Sequence, residues 1–155
     1  MSYNIFLDTN ALIDILVDYQ TPTTYDKIRS DAKLALKTKI YIAELIKNNP
    51  DIKLFINTTT VTNVFFILTN RQKISKSLVA SQILNLHKQK ELFTVVCESD
   101  IIREAALNYC IQKDVDYEDA LQYFCALKHN CKAIITNDKN FPDIDIKLIR
   151  TYQEA

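Results

Sequence analysis

The chain contains no glycine among its 155 residues. Phosphate-binding loops in dinucleotide-binding folds and in P-loop proteins depend on glycine, because its missing Cβ permits positive φ angles and a close approach of the backbone to the ligand. The sequence therefore excludes a nucleotide-binding loop of either kind. Any ligand must be held by side chains or by a metal ion bound to them.

Short apolar runs alternate with segments whose apolar residues recur at helical spacing. The runs predict five strands, at residues 4–7, 54–57, 93–96, 133–136 and 146–149. The longest helical pattern extends from Tyr25 to Asn48, after a break at 21–24. Strands separated by helices imply right-handed crossovers and parallel pairing. We predict an α/β fold with three α/β/α layers around a mostly parallel, about five-stranded sheet.

Composition predicts one globular domain over residues 1–155. Hydrophobic residues make up 48% of the chain, and 19 basic residues balance 19 acidic ones. This balance excludes a polycation that coats nucleic acid but permits a local basic surface. No apolar run approaches the ~20 residues that span a bilayer, and no signal peptide is evident, so we expect a cytoplasmic protein without membrane association.

Cysteine and histidine chemistry is disfavoured. The four cysteines, Cys97, Cys110, Cys125 and Cys131, form no Cys-x-x-Cys pair, which argues against a zinc site. We interpret all four as structural. The two histidines, His87 and His129, lie away from the other polar motifs and are interpreted as surface residues, so neither is expected to act as a general base.

Acidic residues concentrate where the predicted parallel strands end, which is the edge at which such sheets bind ligands. Asp8 follows the first strand, and Asp138 follows the fourth. Asp116 and Asp119 open the helix before the fourth strand, and their i, i+3 spacing predicts that they share a face. Asn63 lies on the helix after the second strand.

Each acid also has a purely structural explanation, since Asp116 could cap its helix, Asp119 could favour the helix dipole and Asp138 could sit in a turn. Asp8 needs a partner at the end of a buried strand. Taken together, carboxylates from three segments would repel one another unless a hard cation lay between them. Oxygen ligands suit Mg²⁺ or Mn²⁺, which activates water against a phosphodiester.

Four segments resemble the motifs of the PIN-domain family, in the family's order. Residues 5–14 resemble its opening, Thr59-Thr60-Val61-Thr62-Asn63-Val64 its second motif, 116–122 its third and 134–141 its fourth. The resemblance extends from Asp8 to Phe141. It departs from the family at Asn63, where a glutamate is more usual.

The resemblance implies a five-stranded parallel sheet, metal-dependent cleavage of RNA and, in many relatives, a VapC-type toxin bound by an antitoxin protein, often as a homodimer. It implies that Asp8, Asp119 and Asp138 bind the metal directly or through water, with Asp116 as an additional acid. Asn10 and Thr136 would orient ligands or water. Thr59 and Asn63 occupy the second motif.

Basic and aromatic residues suggest where RNA would bind, because phosphate contacts dominate its affinity. Arg71, Lys73 and Lys76 cluster after the Asn63 helix, and Lys139 follows Asp138. Ordinary solvated charge is an equally good interpretation of each. Tyr117 and Tyr123 could stack on bases, although aromatic side chains more commonly pack in a core.

Two functions from different classes remain. The first is a metal-dependent endoribonuclease that hydrolyses phosphodiesters with metal-activated water, as part of a toxin–antitoxin pair or alone. The second is a degenerate PIN-like module that binds RNA or protein, which Asn63 favours because an amide is a weaker ligand than a carboxylate. A phosphatase with Asp8 as nucleophile would need a second aspartate at position 10, and a receiver domain would need paired acids at the first strand end.

Overall fold

The computed structural model describes residues 3–17 and 32–153, which contain five β-strands and six α-helices. The strands are β1 Tyr3–Leu7, β2 Ile52–Asn57, β3 Phe93–Val96, β4 Ala133–Ile135 and β5 Lys147–Ile149. The α-helices are α1 Thr9–Leu16, α2 Ala32–Asn48, α3 Thr58–Phe66, α4 Lys76–Lys88, α5 Asp100–Lys113 and α6 Tyr117–Lys128. A π-helical turn, Ile67–Arg71, follows α3, and a 3₁₀ turn, Thr151–Gln153, follows β5.

The sheet has the strand order β3-β2-β1-β4-β5, and every neighbouring pair is parallel. The chain adds β2 and β3 on one side of β1 and then crosses to add β4 and β5 on the other. The strand order thus reverses between β1 and β4, which is where open α/β sheets bind their ligands. The predicted α/β class and the five-stranded parallel sheet are confirmed.

The central strand is buried on both faces, so it reads as a continuous apolar run. Ile5 and Leu7 pack with α1, α2, α3 and α4 on one face of the sheet. Phe6 packs with α5 and α6 on the other face. Helices therefore cover both faces, as the three-layer prediction requires.

Strand and helix boundaries differ from the prediction by a few residues. β2 begins at Ile52 instead of 54, because Tyr3 of β1 pairs with Ile52. β4 ends at Ile135 and β5 begins at Lys147, one residue inside the predicted limits. The long helix ends at Asn48 as predicted, whereas its predicted start at Tyr25 and the break at 21–24 lie outside the described residues.

Within the described residues, three that are not glycine adopt left-handed backbone conformations. They are Lys73, Asp114 and Asn130, with φ angles of 59°, 53° and 55°. Aspartate and asparagine tolerate this region because their short polar side chains hydrogen-bond locally, whereas lysine has no such compensation.

The cysteines are reduced, and two are buried. Burial raises the pKa of Cys125 and of Cys131 to about 12, as expected for thiols that serve as small apolar side chains. The structural interpretation does not extend to Cys97, whose side chain is exposed. None of the helices within residues 3–17 and 32–153 combines the length and apolarity that crossing a bilayer requires.

Candidate active site

Asp8 is fixed between the sheet and the first helix. It follows β1 directly and is only 5% exposed. Its Oδ1 accepts a hydrogen bond of 2.8 Å from the Ala11 backbone N–H and so caps α1. Its own N–H donates to the Ile135 carbonyl of β4, at 3.2 Å. Both ends of the residue are therefore anchored at the point where the strand order reverses.

Asp119 lies in the first turn of α6, half-buried and surrounded by negative charge. Burial raises its pKa, and the charge of Asp138, a hydrogen bond with Asp138 and the charges of Asp8 and Glu118 raise it further, to about 7. Three other carboxylates are thus close enough to Asp119 to raise its pKa. We call Asp8, Glu118, Asp119 and Asp138 the acidic group.

Asp138 is positioned by the loop after β4. Its Oδ1 accepts from the Asn140 N–H at 2.9 Å, and its own N–H donates to Thr136 Oγ1 at 3.1 Å. Arg150, which the sequence analysis missed, donates from Nη1 to the carbonyls of Thr136 and Asp138. Thr136 therefore orients the backbone of Asp138, and a guanidinium lies at the end of β4.

Asp116 lies just outside the helix that contains Asp119. It is the N-cap of α6, with extended φ and ψ angles of −65° and 135°, and the helix begins at the next residue, Tyr117. The side chain of Asp116 is exposed. Burial, and then the charge of Asp116, raise the pKa of Cys110 on α5.

Glu118, in the first turn of α6, was not among the acids predicted from the sequence. Its side chain is half-buried and accepts a hydrogen bond from Thr9 Oγ1, of the residue that follows Asp8. Its charge also reaches Asp119. The sequence offered only the weak signal of one more acid in the first turn of a helix.

A second buried acid, Glu98, lies just beyond β3 at the same edge of the sheet. It is 6% exposed and accepts hydrogen bonds from Asn57 Nδ2 at 2.8 Å, Thr58 Oγ1 at 2.7 Å and the Thr59 N–H at 3.0 Å. Burial acts to raise the pKa of Glu98, but hydrogen bonds from Thr59 and Thr58 outweigh it and lower the pKa. The predicted site residue Thr59 thus binds Glu98, at the N-terminus of α3.

A chain of hydrogen bonds connects Glu98 to Glu118. Asn57 donates to Glu98 and accepts from Thr60 Oγ1, while Thr9 Oγ1 donates to Glu118. Gln122 Nε2 completes the chain by donating to the hydroxyls of Thr9 and Thr60, at 2.9 Å and 2.8 Å. We call this the polar chain.

The polar chain fixes the orientation of the Gln122 amide. Both threonine hydroxyls have given their protons to other acceptors, so Gln122 must present its NH₂ group to them. Its Oε1 is then left buried with no hydrogen-bond partner in the described part of the protein. A buried carbonyl oxygen without a partner is costly, which indicates a place for water or a ligand.

The other predicted residues are spread around this edge. Asn10 is exposed on the first turn of α1, Asn63 is half-buried on α3, and Lys139 is exposed beside Asp138. Arg71 ends the π turn and Lys73 follows it, and both are exposed. Arg71 is about 20 Å from Asn57 along the helix, at about 1.5 Å per residue. The structure therefore brings only Lys139, among these three cations, next to the acidic group.

The aromatic residues considered above differ in their exposure. Tyr123 is buried, and its hydroxyl accepts from the Asp145 N–H at 3.0 Å, so it is a core residue and base stacking by it is wrong. Tyr117 is 39% exposed. His129 is half-buried against Phe55, with ring centroids 5.6 Å apart, instead of lying on the surface as predicted.

The donor atoms of the acidic group suit a hard divalent cation, since they are all carboxylate oxygens. Within residues 3–17 and 32–153, no three acidic, histidine or cysteine side chains converge tightly enough to chelate an ion by themselves. Mg²⁺ usually keeps several waters in proteins and needs only one or two direct carboxylates. The acidic group therefore fits an ion held partly through water, with Gln122 Oε1 as a further oxygen acceptor.

Comparison with known proteins gives one consistent result. Residues 5–147 match the sequence model of the PIN domain. The chain is 28% identical over 150 residues to Ribonuclease VapC1 of Aquifex aeolicus, which covers 97% of this chain and 92% of that protein.

Solved structures share the fold at low sequence identity. VapC20 of Mycobacterium tuberculosis, described as a toxin that cleaves the sarcin–ricin loop, aligns with a TM-score of 0.65 and 12% identity, over 88% of this chain and 92% of that one. VapBC2 of Rickettsia felis, bound to a DNA fragment from its promoter, aligns with a TM-score of 0.61 and 16% identity, over 94% and 97%.

Proposed function

Since the chain belongs to the PIN-domain family, we propose that it is a divalent-metal-dependent endoribonuclease that hydrolyses RNA phosphodiesters. The observation that carries the proposal is the acidic group at the point where the strand order reverses. Burial and three neighbouring acids raise the pKa of Asp119 to about 7, and shifted carboxyl groups of this kind are typical of functional sites. A bound cation would remove the repulsion among these acids.

We propose that Asp8, Asp119 and Asp138 hold Mg²⁺ or Mn²⁺, directly or through water. The ion would supply an activated water and stabilise charge on the phosphate. The protein would keep these ligands aligned through fixed contacts, namely the Ala11 N–H on Asp8 and the Asn140 N–H on Asp138. Thr136 would act by orienting the Asp138 backbone.

RNA would approach over the exposed face beside Asp138. Lys139 is the cation placed to contact a phosphate near the scissile bond. Arg71 and Lys73 would contact only a substrate long enough to extend along α3. Lys139→Ala should raise KM more than it lowers kcat, because the contact of Lys139 would be with the backbone of the substrate.

The decisive experiment is RNA cleavage by the purified chain, with Mn²⁺, Mg²⁺ or EDTA, beside an Asp8→Asn variant. Asparagine caps a helix as well as aspartate does, so α1 should remain intact while a ligand charge is lost. We expect metal-dependent cleavage whose rate falls at least about 100-fold in the variant. Loss of a residue that only hydrogen-bonds to a metal ligand typically costs about 10- to 100-fold, and loss of the ligand itself should cost more. Asp114→Asn, at an exposed left-handed position that asparagine tolerates, is the control of equal charge.

A second candidate, a degenerate module that binds RNA or protein, is favoured by Asn63 alone. Intact RNA in every reaction together with no Mn²⁺-induced rise in melting temperature would overturn the nuclease and leave this candidate. Intact RNA with a clear Mn²⁺ shift would instead point to an unsuitable substrate.

We further propose that the nuclease acts in the cytoplasm as the toxin of a toxin–antitoxin pair, as a homodimer. The support is the similarity to Ribonuclease VapC1 and to solved toxin–antitoxin complexes. Expression of the wild-type chain in a bacterial host should arrest growth, and expression of the Asp8→Asn variant should not. Light scattering on the purified chain tests the dimer.

A further inference from the structure

We propose that Glu118 supplies the fourth carboxylate of the metal site, in place of the acid that is missing at Asn63. This inference rests on the proposed function, and it assigns to α6 a role that the sequence motif gives to α3. Asp116 is the competing residue, since it was the additional acid expected from the sequence.

Contacts distinguish the two acids. Glu118 is half-buried and accepts a hydrogen bond from Thr9, whose neighbour is Asp8. The charge of Glu118 also acts on Asp119, the next residue of α6. Asp116 is exposed and precedes the helix. Between these two acids, the described contacts therefore favour Glu118.

A second observation on the same face of α6 is a buried oxygen that lacks a hydrogen-bond partner. Gln122 is one turn beyond Glu118, and both side chains contact the Thr9 hydroxyl. Gln122 is fully buried, and its Oε1 has no partner within the described residues. An oxygen acceptor in that position would complete its hydrogen bonding with a water of a hydrated cation.

The geometry also explains how the site would tolerate an amide at position 63. A hard cation gains most from charged oxygen ligands, and losing one acid should weaken binding. With Glu118 included, the group contains four carboxylates, from β1, α6 and the loop after β4. The charge expected of the site is then present without a contribution from α3.

The test compares Mn²⁺ binding by Glu118→Gln and Asp116→Asn, using calorimetric titration and the Mn²⁺-induced shift in melting temperature. Both substitutions remove one negative charge at the start of α6. Glutamine at 118 still offers an oxygen to the Thr9 hydroxyl, so a role confined to that hydrogen bond should survive. We expect Glu118→Gln to weaken Mn²⁺ binding at least about tenfold and Asp116→Asn to change it less than about twofold.

Equal binding by wild type and Glu118→Gln would overturn this inference while leaving the nuclease in place. Equal weakening by both variants would overturn it as well, because the effect would then report only general charge. A wild-type chain that binds no Mn²⁺ would instead overturn the proposed function, and the inference with it. Melting of both variants in EDTA shows whether either has lost its fold.

Discussion

Asp119 is the residue whose ionisation the fold opposes most clearly. It is half-buried among three other carboxylates, and its pKa of about 7 lies well above the ordinary value of 3.8. Between these two pH values the folded protein retains a proton that the unfolded chain has released. A cation bound among the acids would displace that proton, so metal binding and proton release are coupled at this residue.

The free energy of unfolding of the metal-free protein should depend on pH because the pKa of Asp119 is raised in the fold. As pH rises from about 4 to about 7, the contribution of Asp119 to the free energy of unfolding should be lost, because the folded state binds the extra proton. Asp119→Asn mimics the protonated form and should remove this part of the pH dependence. Urea unfolding in EDTA from pH 4 to pH 8 measures the difference between the two proteins. Parallel curves for wild type and variant would contradict the assigned pKa.

At the scale of elements, α3 is unusual because a carboxylate from another segment caps it. Its own N-cap residue, Asn57, makes no side-chain hydrogen bond to the helix. Glu98, beyond β3, instead accepts from the Thr59 N–H and from the hydroxyl of Thr58. A negative charge at this end also complements the helix dipole. The cap joins β3 to α3 and begins the polar chain that reaches α6.

Glu98→Gln should therefore lower the free energy of unfolding at pH 7, by about 1.5–3 kcal/mol for hydrogen bonds to a buried charged group. The pKa of Glu98 is lowered in the fold, so its contribution is present above the unfolded-state pKa and is lost as pH falls through the folded-state pKa, below 4.5. The exposed Glu104 provides the control, and Glu104→Gln should change stability by less than about 0.5 kcal/mol. Similar losses in both variants would show that Glu98 is not a specific cap.

The position of a residue relative to its strand or helix determined whether its place in the site could be predicted from the sequence. Asp8 and Asp138 were predictable because a carboxylate that directly follows a buried strand has only one edge of the sheet to occupy. Asp116 was predicted to open the helix, but the helix begins one residue later, at Tyr117, so Asp116 is its N-cap. Glu98 and Arg150 were missed because their partners lie in distant segments, so no local pattern identifies them.

At the scale of the whole molecule, alternation of strands and helices predicted the parallel sheet and its three layers, but not the strand order. Which side of β1 receives β4 depends on how the helices share the two faces, with α1 to α4 on one and α5 and α6 on the other. The site depends on that order, since it brings the end of β4 beside the end of β1. The sequence thus predicted the edge of the sheet at which the site lies, whereas the strand order determines which acids lie together there.

The absence of glycine leaves Lys73 in a left-handed conformation, with a φ angle of 59°. Lys73→Gly should raise the free energy of unfolding by about 1 kcal/mol, because glycine adopts this region without a clash at Cβ. Asn130→Gly is the matched control and should change stability by only a few tenths of a kcal/mol. Urea unfolding of the two variants provides the measurement. A loss of stability in Lys73→Gly would mean that the lysine side chain contributes contacts that outweigh the strain.

The lack of glycine also affects the denatured state. A protein of this length with the usual glycine content, about 7%, would contain about 11 glycines. Each glycine replaced at a compatible position stabilises a protein by about 0.4–1 kcal/mol, chiefly because the unfolded chain has fewer conformations to lose. Every residue here carries a Cβ, so the unfolded chain has fewer accessible backbone conformations along the whole sequence. The strain is confined to a few turns, whereas the entropic advantage is distributed over the entire chain.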